Sequence, residues 1–470
     1  MYPTAYVSAP SVHSGKFPAG LTQLGEVIMS PEVVAVLGAM ADASAEAYYW
    51  WATGLMVCIH AGFMMYEMGQ SRVKNVLASG VKNILAFCFI IPTFFMFGWW
   101  LYFAYGTGTI FLPDMAAEYA AYAVPWSEHM GPNLGLPGWG VLWAAFVLFS
   151  ATTASIVSGS VIERIRISAW IILATLVGSV VWIIAAGWGW SPTGWLVTQW
   201  GFHDVGAAGC VHMISGFFAL GILINLGPRG GRFNADGSAN DLRGHSVPMT
   251  IAGLMIIIIG FFGFLGACLL YPSPLLLTDM TQPAGYLTIY GGPVNISAFA
   301  FNTLMGFGGG VIGAYVITKD PFWMMSGALA GIFCAAAGLD LWYPPTAFAL
   351  GFLGGVVIPY SHKLITSWGI DDAVGAVSVH GTCGFIGVMA VGVLLGGYPG
   401  VGDIPAISFT GQLVGAIAMG LGGFIPGYVV SWILKQCGIL RTSDAIQELG
   451  VDVEIPVPAY PESMQSRDYS

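Results

Sequence analysis

Charge is what this chain has least of. Only 8% of its 470 residues are Asp, Glu, Lys or Arg, whereas 56% are hydrophobic. Fourteen Lys and Arg are too few to coat a soluble domain of this length, so the composition excludes a water-soluble protein and implies a membrane one. The net charge of −10 argues against a nucleic-acid partner. Cysteine is also sparse. The seven Cys form no close CxxC pair, and all but Cys437 fall inside apolar runs. Structural disulfides and zinc sites are not expected, and the thiols pack as small hydrophobes. No motif asks for a cofactor. The first 30 residues lack an apolar run behind a positive start, so a signal peptide is not expected either.

What is present is a series of long apolar runs. Residues 1–45 are mixed and read as an N-terminal extension, with Val33–Met40 as a short surface helix. Eleven spans follow, at about 47–68, 84–104, 139–162, 167–188, 205–226, 247–270, 293–317, 322–339, 345–362, 372–396 and 408–434. The membrane domain is 46–436, and 437–470 form a tail.

Alternate loops lack basic residues altogether. Arg72, Lys74 and Lys82 stand between spans one and two, and Arg164 and Arg166 after span three. Arg229, Arg232 and Arg243 follow span five, with Lys319, Lys363, Lys435 and Arg441 after spans seven, nine and eleven. The other loops carry Asp114, Glu118, Glu128, Asp279, Asp340 and Asp403 and no Lys or Arg. By the positive-inside rule the C-terminus is cytoplasmic and the N-terminus outside, in a cell (inner or plasma) membrane.

One pattern occurs twice. Asp204-Val-Gly-Ala-Ala-Gly-Cys-Val-His212-Met-Ile-Ser-Gly216 opens span five, and Asp372-Ala-Val-Gly-Ala-Val-Ser-Val-His380-Gly-Thr-Cys-Gly384 opens span ten. An Asp at a helix start can cap free N–H groups and sits well at the positive helix end. The His eight residues on lies roughly 12 Å deeper, near the middle of a hydrocarbon core about 30 Å thick. Spans five and ten run in opposite directions, so both copies reach the midplane from opposite faces. The fold class that follows is an all-α membrane protein of eleven transmembrane helices: an inverted five-plus-five repeat plus one extra helix. Gly306, Gly308, Gly309 and Gly310 in span seven, and Gly420, Gly422 and Gly423 in span eleven, are expected to let helices approach closely.

His212 and His380 are the leading functional candidates, since ionisable residues at membrane depth mark substrate or proton paths. Two buried His bonded to helix carbonyls are the plainer alternative. A metal pair is a third, although zinc wants three or four ligands and no further ligand is evident. Asp204 either caps span five or faces an arriving cation. The Phe residues of spans three and six read as packing, and Trp188, Trp190 and Trp195 as interface anchors, with a cation-holding ring as the second possibility for a Trp at a pore mouth.

Several segments together resemble the ammonium transporter (Amt/Mep/Rh) family over residues 47–455. They are Gly-Ser-Val-Ile-Glu163-Arg164-Ile-Arg166-Ile-Ser-Ala, Trp190 upstream of Asp204, the stretch from Asp204 to His212, Gly-Phe-Phe-Gly-Phe264, and Asp371-Asp372 to His380-Gly. The resemblance implies a homotrimer of eleven-helix subunits, each with one narrow apolar pore. It implies NH4+ or NH3 as substrate and a cytoplasmic PII-type regulator or signalling domain as partner for the tail. His212 and His380 match the family's pore pair, Phe149 and Phe264 its stacked gate, Trp190 its vestibule Trp, and Asp204 its buried acid. Cys268 stands where the family usually has a Ser facing the ion, and a thiol is the weaker hydrogen-bond partner. Leu265 and Gly375 replace the usual Asn and third Asp, and Ile455-Pro456 follows Gly450-Val-Asp452 in place of His-Gly. Three functions fit: an ammonium transporter, an ammonium sensor that binds but moves little, and a membrane enzyme with a His-bound metal, of which the first accounts for most of the residues.

Overall fold

The computed structural model describes residues 31–131, 139–271 and 285–460. The expectations for residues 1–30, Asp279 and residues 461–470 lie outside the described residues.

Among the described residues, nine helices are long and apolar enough to cross a membrane: Val73–Thr107, Gly140–Ser160, Ile167–Gly189, Ala208–Leu226, Val247–Ala267, Ile296–Thr318, Pro344–Ser367, Val377–Leu394 and Phe409–Gln436. The shorter apolar Pro321–Ala336 and the long first helix Pro31–Gln70 complete the eleven spans in their expected order. Their ends are set by local chemistry. Ser246, Asn295, Asp320 and Ser408 each accept a hydrogen bond from a backbone N–H of the helix they precede, and Pro stands in the first turn after Ser246 and Asp320.

Two expectations are corrected. Val33–Met40 is not a separate surface helix but the first turns of Pro31–Gln70. The link Ala41-Asp-Ala-Ser-Ala-Glu-Ala holds no Gly or Pro and is rich in Ala, the best helix former, so nothing stops the helix there. Lys82 is not a loop residue. It lies inside the second span and is buried, because that helix begins well before its apolar run.

The inverted repeat is visible in the packing. Span two packs on span four as seven packs on nine, and three packs on five as eight packs on ten. Spans one and six lie along each other, as do five and ten, joining the two halves. Span eleven wraps span five from outside. Spans three and five are the most buried of the nine and two and eleven the least, so the centre of the bundle is where the Asp–His helices cross. Of the glycines in spans seven and eleven, Gly309, Gly310 and Gly423 touch facing backbone, whereas Gly308 has nothing near it. A three-stranded antiparallel sheet, Leu269–Leu270, Tyr286–Thr288 and Pro293–Val294, fills the connection between spans six and seven.

Candidate pore site

The Asp of each copy caps its own helix. Asp204 Oδ2 accepts from the N–H groups of Gly209 (2.9 Å) and Cys210 (2.8 Å), and Asp372 Oδ2 accepts from that of Val377 (2.7 Å). Both helices begin with a widened π-turn, Ala208–Met213 and Val377–Thr382, and each His lies within it. The glycine that closes each copy marks the crossing. A Cβ at Gly216 would come within 2.3 Å of the Gly381 nitrogen, and one at Gly384 within 2.5 Å of the Ala208 oxygen. Only bare backbone lets spans five and ten approach so closely beside the imidazoles. Gly216→Ala is therefore expected to cost about 1–3 kcal/mol by overpacking. A thermal scan of the purified protein checks this, and an unshifted midpoint would mean that the crossing relaxes freely.

The crossing brings His212 Nδ1 to 3.2 Å from His380 Nδ1. Two ring nitrogens at that distance share one hydrogen, so one ring donates and the other accepts. The far nitrogens are then one acceptor and one donor. His212 Nε2 is buried and has no protein partner among the described residues.

Aromatic rings lead to this pair. Phe146 and Phe149 of span three pack on Trp190, with centroids 5.7 Å and 4.9 Å away. Phe149 meets Phe264 edge-on at 4.5 Å, and Phe264 stacks at 5.8 Å from His212. Trp190 is fully buried, and its indole N–H donates to the Val205 oxygen at 3.2 Å. Cys268 is 1% exposed, and its thiol donates back to the Phe264 oxygen at 3.3 Å. The Asp204 backbone N–H donates to the Tyr290 hydroxyl, which donates in turn to the Gly189 oxygen.

The sequence reading passed over Phe333 of span eight. Its ring lies 3.7 Å from that of His212 and 4.5 Å from that of His380, covering the pair on one side. Phe in an apolar helix carries no sequence signal that separates this role from packing. Among the described residues, no group of three or more His, Cys, Asp or Glu could hold a metal.

The Glu163-Arg164 segment works as a clasp at one end of the bundle. Arg72 Nε donates to Glu163 at 2.7 Å. Arg164 donates to the backbone oxygens of Asp371 (2.5 Å), Ser160 (2.9 Å) and Gly227 (3.0 Å). Arg229 grips both Asp371 oxygens at 2.9 Å, and Arg232 Nε lies 3.3 Å from one of them. Burial raises the Asp371 carboxyl, but Arg164 and Arg229 outweigh it and hold it well below the ordinary range. This ties the loops after spans three and five to the start of the span-ten copy. Beside it a cavity of about 390 Å³ is lined by Arg229, Trp323, His362 and Asp372.

The sequence model of the Ammonium Transporter Family matches residues 47–455. The chain belongs to that family. Ammonium transporter Amt2 of Methanocaldococcus jannaschii is 31% identical over 92% of this chain and 94% of its own. Amt1 of the same organism is 28% identical over 87% and 94%. Among solved structures, one titled Sensor Amt Protein aligns with a TM-score of 0.73 at 24% identity, over 89% of this chain and 99% of its own. Candida albicans Mep2 aligns at 0.68 with 20% identity, over 85% of this chain and 86% of its own. At these identities the structural matches establish the fold of the transporter family and nothing finer.

Proposed function

We propose that this chain moves ammonium across the membrane. NH4+ arrives near Trp190, passes beneath the Phe149–Phe264 pair and gives up its proton at His212 and His380. The observation that carries this reading is the succession of rings ending on two imidazoles that share a hydrogen. Phe149, Phe264 and Phe333 form apolar walls on which a bare cation is expensive and neutral NH3 is not. The unpaired His212 Nε2 offers a place for the proton or the amine. K+ is of similar size but has no proton to lose, so the same walls reject it. Neutral ammonia then leaves past Ser326 and Val374 into the wide cavity beside Asp372. The assembly proposed is a homotrimer with one pore in each subunit, following the family.

The proposed orientation keeps the N-terminus outside and the C-terminus in the cytoplasm. Residues 438–460 lie along the end of the bundle that carries the basic residues. Arg441 donates to the Leu226 and Pro228 oxygens, and Asp452 accepts from the N–H groups of Leu77 and Ala78. A PII-type regulator or a signalling domain would meet the protein there.

Ammonium sensing is the second reading. Trp190 has no exposed face, and the Cys268 thiol is turned back on its own helix. Both favour a site that holds the ion without passing it quickly. Uptake of labelled methylammonium into proteoliposomes, measured beside binding, tests the two together. Uptake above that of protein-free vesicles supports transport; binding without uptake replaces it with sensing.

Cys268 gives a sharper prediction. Cys268→Ser supplies better acceptor lone pairs where an ion would arrive. A hydrogen bond to a charged group is worth about 1.5–3 kcal/mol, and replacing a weak one gains only part of that. Apparent ammonium affinity is expected to rise a few-fold to about tenfold in Cys268→Ser and to fall in Cys268→Ala. Equal affinities for Ser, Cys and Ala by calorimetric titration would remove Cys268 from the site.

A further inference from the structure

We propose that Glu67 accepts the proton released at the histidine pair and that Lys82 passes it to the cytoplasmic side, by a way out separate from that of ammonia. This inference rests on the transport reading above.

A cavity of about 20 Å³ lies directly below the pair, with His380 and Glu67 in the same wall. That volume holds one water molecule, which needs about 10–15 Å³. Tyr66 and Ser326 supply hydroxyl groups to the same wall, their oxygens 3.4 Å apart. A single water there can hydrogen-bond to the imidazole and the carboxylate in turn. Two parts of its lining differ. Ser326 and Val374 form one, and their chain neighbours Met325 and Ala373 line the wide 390 Å³ cavity. Glu67 forms the other.

Glu67 is fully buried, and hydrogen-bond donors reach both of its oxygens. Asn83 Nδ2 donates to it at 2.8 Å, the Ser158 hydroxyl donates to its other oxygen, and Lys82 Nζ stands 3.4 Å away. The Lys82 ammonium donates to the Ser158 backbone oxygen and lies 5.3 Å from the centre of the Trp170 ring. On its far side Lys82 lines a second cavity with Ser79 and Glu163. At about 10 Å³ this is at the lower limit for one water. Glu163 pairs with Arg72, which is partly exposed. Glu67, Lys82 and Glu163 thus connect the cavity at His380 with Arg72 through one close pair and one shared cavity. The charged group facing Glu67 is Lys82, which itself feels Arg164, and Asp372 acts on the neighbouring Tyr66.

The step balances. The imidazolium N–H bond breaks, and the proton crosses the water to form an O–H bond on Glu67. Lys82 gives one proton to a water oxygen in the second cavity, that water releases a proton to bulk solvent on the cytoplasmic side, and Lys82 is recharged from the Glu67 carboxyl. One proton enters and one leaves, and the resting pair is restored. A purely structural pair explains the arrangement less well. Replacing a buried ion pair by apolar groups of the same volume is often neutral or stabilising, so stability alone gives little reason to keep one at membrane depth.

The test uses the full chain in proteoliposomes. Charge moved on an ammonium-class pulse is recorded together with labelled methylammonium accumulated, both corrected for protein-free vesicles. In Glu67→Gln the charge moved per methylammonium is expected to fall about tenfold or more, within the range of a lost proton-transfer group, and Glu67→Asp is expected to restore it. A structural role would lower both quantities together and leave the ratio unchanged, which overturns the inference. If Glu67→Gln leaves Lys82 too costly to bury, the double variant Glu67→Gln, Lys82→Met removes both charges and is read in the same way. The unaltered protein gives an independent reading: infrared difference spectra must show a carboxyl group gaining a proton on ammonium addition, and its absence overturns the inference. Wild type that moves neither charge nor methylammonium sinks the transport reading itself; wild type that moves both, with a Glu67→Gln ratio like its own, sinks only Glu67.

Discussion

His212→Ala should leave a folded protein that no longer conducts ammonium selectively. The imidazole is buried and bonded to the protein through one atom, Nδ1, whose partner is His380. Its other neighbours are the flat face of Phe333 and the Phe264 ring, and neither needs it for a hydrogen bond. The helix crossing rests on Gly216 against Gly381, which the substitution does not touch. The fold therefore survives, and His380 keeps a lone imidazole beside a hole that water can enter. What goes is the shared hydrogen and the free Nε2, and with them the proposed means of taking a proton from NH4+. A group that transfers a proton is worth about 100-fold or more in rate. Methylammonium uptake should fall by at least that factor while the elution profile of the solubilised protein stays unchanged. His212→Asp keeps a polar group in the gap but adds a full negative charge, so it should admit K+, which the native pair is proposed to reject. Native uptake rates together with K+ rejection in His212→Ala would remove the pair from the mechanism.

Much of this was legible in the sequence because lipid simplifies the code. Apolar runs of span length have few meanings, and eleven of them stand in the structure in the expected order. The Asp–His copies were legible because three residues of each do separate jobs at fixed spacing. The Asp caps, the His projects into the crossing, and the Gly lets the helices touch. What escaped depends on which way a helix face turns. Phe333 looks like any ring in an apolar helix until span eight is packed against the pair. Lys82 looked like a loop residue because the apolar run begins after it. Its charge is buried only because Glu67 waits on another helix, and no local pattern connects the two. For Cys268, the family resemblance marked the place of a Ser that usually faces the ion, but not the rotamer that turns its thiol back to the Phe264 oxygen. The Glu163-Arg164 motif announced a family without saying that its work is to clasp loops.

That clasp gives the largest expected effect on stability. Asp371→Asn keeps the shape of the side chain and removes its charge, leaving Arg164, Arg229 and Arg232 around a neutral amide. Asp371 is 1% exposed and Arg164 fully buried, so water cannot replace the lost anion. Breaking a buried charge pair by removing one partner costs about 3–5 kcal/mol, because an uncompensated charge remains inside. The amide makes matters worse locally, since its NH2 group would face the guanidinium of Arg229 where an oxygen now accepts at 2.9 Å. The loops after spans three and five would loosen, and with them the start of span ten that carries Asp372 and His380. Acid cannot imitate this loss at ordinary pH. The Asp371 carboxyl in the fold titrates well below its unfolded value of about 3.9, so its contribution is complete above that value and fades only as pH falls towards the folded pKa. Between pH 5 and 8 the contribution of Asp371 in the native protein should therefore be flat, while Asp371→Asn is displaced downward by a constant amount. Adding Arg229→Met to Asp371→Asn removes one of the stranded cations and should recover part of the loss. Thermal midpoints of the solubilised proteins across that pH range decide the matter. If Asp371→Asn melts with the native protein, the arginines find other partners and the clasp contributes nothing to holding the pore helices in place.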